Sequence, residues 1–128
     1  MKRFAAAEWD RAKRALASAK LLVEEDHDAA ASRAYYAAFY AVTALFAMEG
    51  KTYAKHTAIR GAFHKELIHT GRLPPELGRD YDVLMDLRDE ADYGGASRVP
   101  VENARIAVAK AQAILEAVGK ACPELRVG

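Results

Sequence analysis

The stretch from Ser32 to Phe46, SRAYYAAFYAVTALF, limits what this chain can fold into more than any other part of it. At helical period its large side chains fall on two stripes. Tyr35, Phe39, Val42 and Phe46 share one face, and Arg33, Tyr36, Tyr40 and Thr43 share another. A helix with two such faces needs neighbours on more than one side, so this segment predicts the central element of a helical bundle. Asp28 can cap its start, and Gly50 offers a stop after Glu49.

The rest of the chain supplies neighbours. From Ala5 to about Glu25, Trp9, Ala12, Leu16, Ala19 and Val23 recur at three and four residues, while Arg11, Lys13, Arg14 and Lys20 fall elsewhere. A third helix is predicted from about Lys55 to His69, with Ile59, Phe63 and Leu67 inward and Gly71 behind it. Pro74 and Pro75 open a fourth, reaching Tyr93, on which Leu77, Tyr81, Leu84, Arg88 and Ala91 share one narrow sector. After the small residues from Gly94 to Ser97, Pro100 starts a fifth helix to Gly119, with Ala104, Val108, Ala111, Leu115 and Val118 inward. The tail after Pro123 is expected to fray. No alternating strand pattern or internal repeat interrupts this series. The fold class is therefore all-α, an antiparallel up-and-down bundle of four to five helices in a single domain spanning residues 1–128.

A chain with 52% hydrophobic and 29% charged residues suits a folded globule rather than a disordered one. With 19 Lys+Arg against 18 Asp+Glu, there is no global attraction for nucleic acid, so such binding needs a local basic patch. Cys122, the single cysteine, can close no internal disulfide, and a reducing cytoplasm is expected. Glu8 and Asp10 interrupt the N-terminal segment, and no apolar run approaches the ~20 residues of a membrane span, so neither a leader nor a membrane partner is expected.

Arg88 stands out chemically, because a guanidinium on an apolar stripe must find partners. Asp92, one turn on, can supply one, which would make the pair a lock on helix packing; otherwise Arg88 is free to meet a ligand or a phosphate. Arg33 with Tyr36 and Tyr40 sets a cation beside stacking rings, a combination that suits nucleotides, although aromatic stripes also build cores. His56, Arg60 and His64 follow at every fourth position and could line a polar groove, or a solvated face. The two histidines have no third ligand at metal-binding spacing, and no glycine-rich phosphate loop, GxSxG elbow or Cys/His nucleophile pair is present. Neither a metal nor a cofactor is expected.

RAYYA within the second helix, His56, and LRDEADY at the end of the fourth together resemble a HEPN domain over nearly the whole chain. More narrowly, the sequence is similar to the small stand-alone HEPN proteins that also resemble the C-terminal domain of sacsin. The resemblance implies a homodimer, often encoded beside a minimal nucleotidyltransferase, the two behaving in many cases as toxin and antitoxin. It also implies, in many members, a metal-independent ribonuclease site in which an arginine supports the phosphate and a histidine four to six residues further on aids proton transfer.

Arg88 matches that arginine. The residues four to seven beyond Arg88 are Asp92, Tyr93, Gly94 and Gly95, so the motif reads arginine, four residues, tyrosine, and a tyrosine with a pKa near ~10 is a poor base at neutral pH. In some toxin pairs the partner modifies a tyrosine near this motif, which points to Tyr93. The expected function is therefore a binding one: Arg88, Asp92, Tyr93, Arg33 and Tyr36 around a groove for a nucleotide, RNA or the nucleotidyltransferase partner. The rival is an endoribonuclease toxin in which Asp92, Tyr93, His56 or His64 takes the acid and base roles. A third reading makes the chain a dimerisation scaffold alone.

Overall fold

A computed structural model describes residues 2–96 and 98–126. Met1, Ser97, Val127 and Gly128 lie outside the described residues, and with them the first residue of the segment weighed as a leader, one of the small residues after Tyr93, and the end of the tail expected to fray. Five α-helices follow in order: α1 Lys2–Leu22, α2 His27–Met48, α3 His56–Ala62, α4 Pro75–Tyr93 and α5 Val101–Ala121. No strand occurs among the described residues.

α2 is the central element, touching α1, α3, α4 and α5. Its alanines let the neighbours approach closely: Ala30, Ala34, Ala37, Ala38, Ala41 and Ala44 are all fully buried. The larger side chains close the remaining space. Tyr35 and Phe46 from α2, Phe63 after α3, Tyr81 and Leu84 from α4, and Ile114 from α5 have no exposed surface. Burying an aliphatic or phenyl side chain of this size contributes about 1.5–3 kcal/mol, so this cluster carries much of the hydrophobic drive to fold. Tyr81 stacks on Phe63 at 4.9 Å and meets Tyr35 edge-on at 6.0 Å, which joins α2, α3 and α4 at one point.

The structure corrects several expectations. Asp26, not Asp28, caps α2, its carboxylate accepting from the Ala29 amide at 3.1 Å. Asp28 lies in the first turn and instead accepts the Val99 amide at 2.8 Å, tying the start of α2 to the loop before α5. α1 stops at Leu22, three residues early, where the Asp26 amide closes a turn onto the Leu22 carbonyl at 2.8 Å. α3 stays α-helical only to Ala62 and continues directly as a π-helical segment, Phe63–Ile68, in which the His69 amide reaches back to His64 O at 2.8 Å. The tail does not fray where it is described: Pro123–Arg126 forms a 3₁₀ turn that buries Leu125.

Candidate functional site

Arg88 lies near the C-terminal end of α4, with only 11% of its side chain exposed. Its Nη1 donates to Asp89 at 2.8 Å. Asp92, the expected partner, pairs with Nε as an ion pair at 3.8 Å, too long for a hydrogen bond. The Nε is buried and has no hydrogen-bond partner among the described residues. Three rings surround the guanidinium instead: Tyr35 at 5.0 Å from Cζ, Tyr36 at 5.6 Å and Tyr93 at 5.8 Å. Burial opposes the charge, but the surrounding tyrosines and Asp89 outweigh it, so the group is held more firmly cationic than usual.

The imidazole missing from α4 enters this cage from α3. His56, the first residue of that helix, stacks on Phe39 at 4.2 Å with its ring 12° from parallel. Its Nδ1 lies 2.8 Å from the Tyr35 hydroxyl, and its ring also meets Tyr36 edge-on at 5.7 Å. Tyr36 therefore touches both His56 and Arg88. Burial, and after it the nearby Arg88 charge, pushes His56 below the ordinary histidine range, so it is neutral at pH 7. Burial likewise pushes the Tyr35 phenol up, which keeps its proton in place. The Tyr35 contact orients the ring, and the tautomer sets the role of Nε2. With Nδ1–H donating to the phenol oxygen, Nε2 carries a lone pair; with the phenol donating, Nε2–H is a donor.

The remaining candidates separate into two groups. Arg33 lies over the Tyr36 ring at 5.2 Å, and Tyr40 neighbours Tyr36 at 5.9 Å, so both extend the cage along α2. Arg60 and His64 do not join it. Both converge on Asp82 Oδ1, at 2.8 and 2.9 Å, in a polar cluster that bridges α3 and α4. Burial pushes the Asp82 carboxyl up, but the hydrogen bonds from His64 and Arg60 outweigh it and hold it below its usual range. Tyr93 is 75% exposed at the rim of the cage.

Sequence reasoning places Tyr35 in the core alone and passes over Asp89 and Asp82. Asp89 directly follows Arg88, and successive residues on a helix do not ordinarily face each other, so spacing gives no reason to pair them. Among the described residues no three His, Cys, Asp or Glu side chains converge as a metal would need. The cage groups a largely buried cation, an imidazole and half-buried rings, the kinds of group that meet a phosphate and a planar base.

The sequence matches the HEPN domain family over residues 6–121. This chain belongs to the HEPN family. A Thermotoga maritima protein named "UPF0332 protein" is 35% identical over 117 residues, covering 91% of this chain and 89% of that protein. A Methanocaldococcus jannaschii protein named "Putative toxin MJ0142" is 33% identical over 104 residues, covering 81% of this chain and 71% of that one. The crystal structure of TT1696 from Thermus thermophilus superposes with a TM-score of 0.78 at 21% identity, covering 94% of this chain and 99% of that one. That likeness shows the all-α bundle fold. Within this HEPN chain, Arg88 near the end of α4 and His56 at the start of α3 meet the same tyrosines, Tyr35 and Tyr36.

Proposed function

We propose that this HEPN protein binds a phosphate-bearing ligand, a nucleotide or an RNA segment, at the Arg88 cage, and presents it as the partner of a minimal nucleotidyltransferase in a toxin–antitoxin-like pair. The observation that carries the reading is the buried Arg88 Nε with no hydrogen-bond partner among the described residues, ringed by Tyr35, Tyr36 and Tyr93. A donor left so is costly unless something accepts from it, and a phosphate oxygen is the acceptor a guanidinium fits best. The half-buried Tyr36 and Tyr40 suit the base that comes with the phosphate. Pairing with the nucleotidyltransferase and self-association as a homodimer come from the family likeness, and the relative named as a toxin agrees with the paired role.

His56 supports a second reading, a metal-independent endoribonuclease. In that chemistry Nε2 of neutral His56 accepts the 2′-hydroxyl proton, the 2′-oxygen attacks the adjacent phosphorus, the 5′-oxygen leaves with a proton from the site or from water, and a 2′,3′-cyclic phosphate remains. Arg88 would balance the charge on the phosphate oxygens.

One experiment separates the two. Purified protein in EDTA is given labelled RNA, and both retention and cleavage are measured for wild type, Arg88→Met and His56→Gln. Retention without cleavage, lost in Arg88→Met, is the expected result. Cleavage lost in both folded variants would replace the binding role with the nuclease. Neither retention nor cleavage by wild type would leave Arg88 a packing residue.

A further inference from the structure

A second basic feature lies beside the cage, in the groove between α1 and α2. Arg11, Arg14, Ala15 and Ser18 from α1, and Arg33 and Tyr40 from α2, line a surface notch of about 280 Å³. Three arginines and two hydroxyl-bearing residues, Ser18 and Tyr40, line it, and no carboxylate is in the lining. Arg33 makes no ion pair among the described residues and rests over the Tyr36 ring, the ring that Arg88 also faces. Arg11 stands over Tyr40 at 5.7 Å. Its contact with Glu8 is long, 3.7 Å, and the 3.0 Å pair of Arg14 with Asp10 joins two side chains that are 73% and 58% exposed. An exposed pair such as Arg14 with Asp10 contributes about 0–1 kcal/mol, so an incoming anion competes with it readily.

The order of groups along the surface is informative. Arg88, Tyr36, Arg33, Tyr40 and Arg11 alternate cation with ring, each ring within 6 Å of an arginine on one side or both. A single strand of nucleic acid presents the same alternation of phosphate and planar base. A free nucleotide, with all its phosphates at one end, would fill the cage or the notch but not both.

We propose that the notch between α1 and α2 is a second phosphate subsite, which takes the backbone of single-stranded RNA as it leaves the Arg88 cage. The inference rests on the cage being a phosphate site, and it adds the ligand's class, an extended strand, and its direction across the protein.

The test uses 2′-O-methyl oligouridines, which cannot be cleaved through the 2′-oxygen, labelled with fluorescein as a trimer and a dodecamer. Binding is followed by fluorescence anisotropy in EDTA over a salt series, with fold checked by circular dichroism. The wild type is expected to hold the dodecamer at least about tenfold more tightly than the trimer. The Arg11→Gln/Arg14→Gln double variant, which leaves the cage residues untouched, is expected to lose most of that advantage while still binding the trimer. Its plot of log affinity against log salt should flatten by about 0.7 for each phosphate contact removed. Arg14→Gln alone should shift the dodecamer in the same direction by a smaller factor. Dodecamer affinity and salt slope unchanged in the folded variants would overturn the subsite yet leave the cage standing, provided that Arg88→Met still abolishes binding. Equal affinity of wild type for both lengths would also overturn it. Wild type that binds neither oligonucleotide would overturn both the subsite and the cage.

Discussion

Replacing Arg88 by methionine separates a binding arginine from a packing one. Methionine keeps most of the stem that fills the space between α4 and α2 and removes only the charged head. In the folded protein that head has one hydrogen bond, to Asp89, whose side chain is 55% exposed, and a long ion pair with Asp92, and leaves Nε without a hydrogen-bond partner among the described residues. An unsatisfied buried donor costs about 1–3 kcal/mol. Cation–ring contacts with Tyr35 and Tyr36 offset about 0.5–2 kcal/mol of this. The two nearly cancel, so Arg88→Met is expected to change unfolding free energy by no more than about 1 kcal/mol, in keeping with apolar replacement of buried ionic groups elsewhere. Binding should behave differently. A hydrogen bond from a charged donor contributes about 1.5–3 kcal/mol, so affinity for a phosphate-bearing ligand should fall by roughly 10–150-fold. Urea unfolding followed by circular dichroism gives the first quantity and anisotropy with an oligonucleotide the second. A variant that loses more than about 3 kcal/mol of stability while binding as well as wild type would refute the reasoning, and the Arg88–Asp89–Asp92 group would then be a lock on the helices.

Three further outcomes are expected. His56 titrates below its unfolded value of about 6.5, so the unfolded chain binds the proton more readily; its share of stability is present above about pH 6.5 and is lost as pH falls through the folded value, a loss that His56→Gln should abolish in acid unfolding curves. Gly78→Ala would set a methyl group 3.0 Å from His64 Cε1 and 3.3 Å from Ile68 Cγ1, pushing His64 from Asp82, and should cost about 1–3 kcal/mol in urea denaturation while leaving oligonucleotide affinity unchanged. Asp26→Ala removes the cap of α2 and should lower stability by about 0.5–2 kcal/mol in the same assay, whereas the cap as read from sequence would have put that effect on Asp28.

The bundle was legible because its signals are local. The span of α4, Pro75 to Tyr93, follows from a proline that can start a helix and a glycine that ends one, and the two stripes of α2 follow from spacing alone. The caps were less so, since Asp26 and Asp28 are equally able to accept an amide and only the position of Val99, far along the chain, decides between them. The site was legible in its residue types and not in its grouping. His56, Arg60 and His64 share a helical period, but eight residues of helix span about 12 Å, so His56 meets Tyr35 and Tyr36 on α2, the rings that Arg88 also faces, while Arg60 and His64 reach Asp82 on α4. Asp82 and Asp89 carry no signal of their own in a helix rich in acidic residues; what singles them out is the neighbour that each one faces.

The π-helical segment after α3 sets the phase of everything before it. Because each residue turns a helix by about 100°, losing one residue between Phe63 and Ile68 would relax the segment toward an ordinary α-helix and rotate His56 and Arg60 away from Arg88 and Asp82 together. Substitutions within it can be absorbed by repacking around Phe63 and Leu67, whereas a single-codon deletion cannot. Among natural relatives, chain length between His56 and Gly71 should therefore vary less than the identity of the residues that fill it.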